Sequence, residues 1–114
     1  MKKLSFLGII ALFAACSVKL ATPIQADVDR VSTKYPGYSL ADLNEGKSLF
    51  EHNCNRCHHL KNPASRSEEK WEKIVPKMMA KLNKKEGHPV LTDKEQESIL
   101  RYLVTMRTAS KSGS

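Results

Sequence analysis

The chain has 114 residues, a formal net charge of +7, and only 6% aromatic residues. Such a length bounds it to one small domain. Setting aside Lys2, Lys3 and Lys19 lowers the charge to +4, which is too modest to argue for a nucleic-acid partner.

Residues 4–18 are uncharged and lie between Lys2–Lys3 and Lys19. At helical rise they span roughly 22 Å, short of the ~30 Å hydrocarbon core, so they read as an export signal rather than a membrane span. Cleavage after Ala26, with Ile24 and Ala26 at the aliphatic and small positions, leaves a mature chain of 88 residues, 27–114. A second reading of the leader rests on Ala14-Ala15-Cys16, small residues directly before a cysteine, as in a lipoprotein signal ending before Cys16. Phe13 is larger than the residue usual three places before such a cysteine. Both readings export the protein, to the periplasm or an equivalent compartment, and only the second ties it to a membrane.

Residues 27–41 mix Pro36, Gly37, serines and tyrosines without period and read as an irregular arm. From Asp42, a plausible N-cap, Leu43, Gly46, Leu49 and Phe50 recur three or four apart, which predicts a helix running into the cysteines. A second helix is predicted from Ser65, with Glu68 completing a capping box, and with Trp71, Ile74, Val75, Met78 and Leu82 as its apolar stripe. Pro76 should kink or end it near Val75. Residues 83–91 carry Gly87 and Pro89 and read as a loop. Thr92 and Glu95 form another capping box, opening a helix whose face is Ile99, Leu100, Leu103, Val104 and Met106, with Tyr102 on its border. Residues 109–114 form a polar tail. No stretch alternates like a strand, so the expected class is all-α, with about three helices in a domain over residues 42–108.

A mature chain with five aromatic residues, Tyr35, Tyr38, Phe50, Trp71 and Tyr102, builds a thin core and needs a supplement. A disulfide does not supply it. Beyond Cys16 only Cys54 and Cys57 remain, and a bridge between them closes almost no chain entropy. The two stand instead in Cys54-Asn55-Arg56-Cys57-His58, the attachment signature of c-type haem. Two thiols add across the vinyl groups of one porphyrin edge, and a histidine directly after the second thiol reaches the iron from one face. Two other chemistries share these residue types. Zinc would need Cys54, Cys57 and two of His52, His58, His59 and His88, but adjacent His58 and His59 do not easily both ligate, and no second spaced pair completes a tetrahedron. A thioredoxin-type redox pair expects a strand before the motif, and none is indicated.

With these residues in place, the chain from Leu43 to Met106 resembles a small monohaem class I cytochrome c. Gly46, Phe50, Cys54, Cys57 and His58 are similar to the family's helix leading into its haem motif, and Glu95, Ile99, Tyr102 and Leu103 to its C-terminal helix. Leu60, Pro63, Arg66, Glu69, Trp71 and Met78 resemble a bacterial subgroup with a methionine seven residues after the tryptophan. The resemblance implies a cytochrome c-like fold of about three helices around one covalently bound haem c. It implies a close crossing of the first and last helices at Gly46. It also implies His58 as proximal ligand, its second ring nitrogen directed to a carbonyl near Pro63. Met78 is the implied distal ligand; Met79 is the runner-up and His88 a further candidate, while His52 and His59 read as exposed and Met106 as core. Trp71 and Tyr102 would wall the haem, and Arg66 would either meet a propionate or remain a solvated charge.

His/Met ligation fills both axial positions and suits electron transfer rather than bond chemistry. The function implied is that of an exported one-electron carrier, not an enzyme, monomeric, between a redox donor and an acceptor. Lys70, Lys73, Lys77, Lys81 and Lys84 share one helical face, either a docking surface for an acidic partner or a solvated face. Two further functions are compatible with the residues: a five-coordinate haem protein that binds or senses a small ligand, and a haem-bearing subunit of a membrane-associated oxidoreductase complex.

Overall fold

The computed structural model describes residues 20–54 and 60–109. Within them the chain is all-helical: α1 (Gln25–Arg30), α2 (Leu40–Cys54), a 3-10 turn (Pro63–Ser65), α3 (Glu68–Glu86) and α4 (Asp93–Met106). No helix among the described residues is long and apolar enough to cross a membrane.

Helix α2 begins earlier than Asp42. Ser39 and Asp42 cap it reciprocally: the Asp42 backbone N–H donates to Ser39 Oγ at 3.1 Å and the Ser39 N–H donates to the Asp42 carboxylate at 3.0 Å. Asp42 thus occupies the acid arm of a capping box rather than the cap itself. Hydrogen bonding to the carboxylate from the Ser39 amide, and then from its hydroxyl, holds the carboxyl below the usual carboxylate range. Leu43, Gly46 and Phe50 are buried and Leu49 half-buried, the face that the spacing indicated.

Helix α3 departs from expectation at both ends and in the middle. Ser65 closes the preceding 3-10 turn, and the N-cap is Ser67, whose hydroxyl accepts from the Lys70 N–H. The helix then runs through Pro76 without ending and extends across residues 83–86 to Gly87, which adopts φ 78° as a left-handed C-cap. Pro76 and Glu72 are both exposed. The Glu72 carbonyl, deprived of its amide partner by the proline, lies where water can replace it, so the helix survives.

Thr92 and Glu95 form the expected capping box of α4, with the Glu95 N–H to Thr92 Oγ1 at 3.1 Å and the Thr92 N–H to the Glu95 carboxylate at 2.9 Å. Helix α4 is central, touching α1, α2, α3 and the 3-10 turn. Tyr102 is not on its border but 1% exposed, tilted against Phe50 of α2 at 5.6 Å between ring centroids. The two rings fill the α2–α4 seam because Gly46, one turn before Phe50, lets the backbones approach. A Cβ there would stand 2.8 Å from the Tyr102 Cβ.

The segment before α2 is ordered and docked rather than an irregular arm. Val28 joins the core cluster, Arg30 donates to the Thr105 carbonyl at 2.8 Å, and Arg101 of α4 stacks 4.7 Å from the Tyr35 ring centroid. Tyr35 and Tyr38 meet edge to face at 5.6 Å. At the other end Ala109 packs, partly buried, against the core.

Candidate cofactor-binding cleft

The C-terminal end of α2 delivers Cys54, half-buried, to the mouth of an apolar cleft. Its walls are Phe50 from α2, Leu60 from the connection, and Trp71, Ile74 and Met78 from successive turns of α3, with Lys61 and Arg66 at the polar edge. The space is about 180 Å³, below the roughly 300–1,000 Å³ of a typical small-molecule pocket. Cys57, His58 and His59, like Cys16, lie outside the described residues.

Helical spacing explains why Met78 rather than its neighbour enters the cleft. Trp71, Ile74 and Met78 follow one another at three and four residues, one stripe of α3. Met79 is rotated about 100° from that stripe. It is 3% exposed in the main core with Val75 and Leu82, whereas Met78 is half-buried in the cleft lining. The two methionines therefore have separate environments. His88 is exposed in the α3–α4 connection with Nδ1 3.1 Å from the Pro89 carbonyl oxygen, and His52 is exposed with Nδ1 2.6 Å from the Ser48 carbonyl oxygen. Neither borders the cleft. Met106 is core, as its place on α4 indicated.

Trp71 is fixed at both ends. Its ring is 2% exposed, and its indole N–H donates to the Pro63 carbonyl at 2.8 Å. Pro63 is itself buried, at the head of a 3-10 turn capped by Asn62, whose side chain accepts from the Ala64 N–H at 2.9 Å. Of the carbonyls around Pro63, among which the resemblance seeks the partner of the proximal histidine, that of Pro63 itself accepts the tryptophan. A carbonyl oxygen has two lone pairs, so a second donor is not barred.

Arg66 is half-buried at the cleft edge, donating through Nη1 to the Ser65 carbonyl at 3.0 Å; its own carbonyl accepts from Arg107 Nε at 3.0 Å. Lys61, which the sequence did not single out, also borders the cleft. A larger hollow of about 390 Å³ lies away from these residues, beside Tyr38, Asp42, Glu45 and Arg101, and contains none of the candidate ligands.

Among the described residues, Cys54 of the attachment signature, Trp71 and Met78 line one apolar space together with Lys61 and Arg66, a side-chain set chemically suited to a haem c. No family model, curated protein or solved structure matches the chain.

Proposed function

We propose that the protein is an exported monohaem c-type cytochrome that carries single electrons between a redox donor and an acceptor, as a cytochrome c-like fold of three principal helices. The observation that carries this reading is the shared cleft of Cys54 and Met78, at the start of a C-x-x-C-H sequence.

In this reading Cys54 and Cys57 would hold the haem through thioethers, and His58 and Met78 would ligate its iron. Bound there, the haem supplies a one-electron couple at its iron. The protein does the rest. Phe50, Leu60, Trp71 and Ile74 exclude water from one side of the group, and a low-dielectric wall disfavours the more highly charged oxidation state. Lys61 and Arg66 offset propionate charge that would otherwise be costly against an apolar surface. Two protein ligands leave no open coordination position, so the site suits electron transfer without substrate binding.

The test is the purified protein made with c-type haem maturation. The expected product is red, keeps its haem through acid and organic extraction, and has a reduced visible spectrum typical of two thioether attachments. A Cys57→Ala chain should lose normal double attachment. A colourless mature protein holding zinc overturns the reading.

A further inference from the structure

We infer that the chain is processed at the Ala15–Cys16 bond and that Cys16 becomes a lipid-bearing N-terminus, rather than the chain being cut after Ala26.

The residues that cleavage after Ala26 would remove are built into the fold. Leu20 packs against the core and Pro23 is buried. Helix α1 starts at Gln25, and its first turn is closed from the segment to be lost: the Asp27 N–H donates to the Ile24 carbonyl at 3.0 Å, and the Ile24 N–H donates to Asp27 Oδ2 at 2.9 Å. A cut between Ala26 and Asp27 deletes both bonds and two of the six residues of α1. It falls immediately before Asp27 and Val28, each 4% exposed. Those two are not peripheral, since Val28 belongs to the core cluster and Asp27 pairs at 3.0 Å with Arg30, which in turn reaches the α4 carbonyl of Thr105.

The leader has a second place to be cut. Small residues Ala14 and Ala15 directly follow the apolar stretch 4–13, the position a processing site requires, whereas Lys19 and a run that folds separate that stretch from Ala26. The residue after Ala15 is Cys16.

The chemistry balances without a redox partner. The Cys16 thiol displaces the phosphorylated headgroup of a glycerophospholipid, forming a thioether to the diacylglyceryl carbon while its proton passes to the departing phosphate. One water then hydrolyses the Ala15–Cys16 amide, leaving a carboxylate on Ala15 and an ammonium on Cys16. Two acyl chains give stable anchoring where one does not. Three residues lie between Cys16 and Leu20, four steps of extended chain, so the domain is held within roughly 14 Å of the bilayer surface, which requires at least one electron partner to reach that surface.

The test is the full chain, leader included, expressed in a bacterium with lipoprotein processing, followed by mass analysis of the N-terminal peptide. The expected peptide begins at Cys16 and carries the diacylglyceryl mass, and the protein leaves the membrane fraction only with detergent. In a Cys16→Ser chain the lipid mass should vanish and residues 1–15 should remain attached. A wild-type peptide beginning at Asp27, or an unmodified one beginning anywhere between Ser17 and Ile24, overturns the proposal. Because the readout is this peptide, the result is independent of whether the chain binds haem.

Discussion

Gly46 of α2 lies against Tyr102 of α4 so closely that a Cβ on the glycine would stand 2.8 Å from the tyrosine Cβ, and nearer still to the carbonyl oxygen of Ser98. Two effects of Gly46→Ala oppose one another. Helix propensity favours alanine by about 1 kcal/mol, whereas forcing backbones apart in a packed seam costs about 1–3 kcal/mol or more. The near neighbours are a main-chain carbonyl and a Cβ, which cannot swing away, so the clash should win. Gly46→Ala should lower stability and Gly46→Val should lower it further, by several degrees per kcal/mol in thermal melts of a domain this size. An unchanged melting temperature for Gly46→Val would contradict the crossing.

Met78 and Met79 should separate cleanly by experiment. Met79 is core, so Met79→Ala should cost about 2–5 kcal/mol and leave the haem spectrum, potential and carbon monoxide reactivity unchanged. Met78 is half-buried in the cleft, so Met78→Ala should cost less in stability. It should abolish the sulfur-to-ferric-iron charge-transfer band, lower the potential and open the reduced iron to carbon monoxide. The reverse pattern would move the distal ligand to Met79.

The sequence made the helices legible where one local signal spoke without competition. Thr92 and Glu95 opened α4, and Gly46 with Phe50 gave the buried face of α2. It misled where two signals competed. Asp42 resembles an N-cap, but Ser39 three residues earlier takes the cap and turns Asp42 into its partner. Pro76 reads as a kink or an end near Val75, yet α3 runs on through it, with Glu72 and Pro76 both exposed. The six residues of α1 are too few to display a period. Their order comes from contacts with α4 distant in sequence. For the site, the Trp-to-Met spacing correctly put Met78 and Trp71 on one stripe, but it could not show that Lys61 borders the same cleft.

Trp71→Phe should test the hydrogen bond between α3 and the 3-10 turn. The ring would be nearly replaced, whereas the buried Pro63 carbonyl would lose its indole donor. The expected cost is about 1–3 kcal/mol, the penalty of an unsatisfied buried acceptor. It should appear as a lower denaturant midpoint with an unchanged slope. A stability equal to wild type would mean that another donor replaces the indole.

Two caps on stability should appear at opposite ends of the pH scale. The Ser39 amide and hydroxyl lower the Asp42 pKa below its ordinary 3.8, so the stabilisation is complete above that value and is lost as pH falls through the lower, folded pKa. Asp42→Asn should therefore flatten the acid limb of a stability curve below about pH 4. Burial, followed by the nearby Asp42 charge, pushes the Tyr38 phenol up to about 12 from 10.0. Its contribution is present below pH 10 and lost as pH rises towards 12, so Tyr38→Phe should flatten the alkaline limb. Melts from pH 3 to 11 for both variants and wild type would check the two signs.

Lys70, Lys73, Lys77, Lys81 and Lys84 are all exposed, and among the described residues none of the five makes an ion pair. Because α3 is unbroken at Pro76, they form one continuous stripe over four turns, on the same helix that presents Met78 to the cleft. In an electron carrier this stripe would steer an acidic partner towards that helix. Steering acts mainly on the association rate and weakens as added salt shortens the Debye length to about 10 Å or less. Bimolecular electron-transfer rates with an acidic partner should therefore fall steeply with ionic strength. The double variant Lys73→Glu, Lys77→Glu should react more slowly at low salt, with a flatter salt dependence and an almost unchanged spectrum and potential, because neither side chain borders the cleft. Stopped-flow rates across a salt series decide the matter: a double variant as fast as wild type at low salt would leave the stripe a solvated helix face.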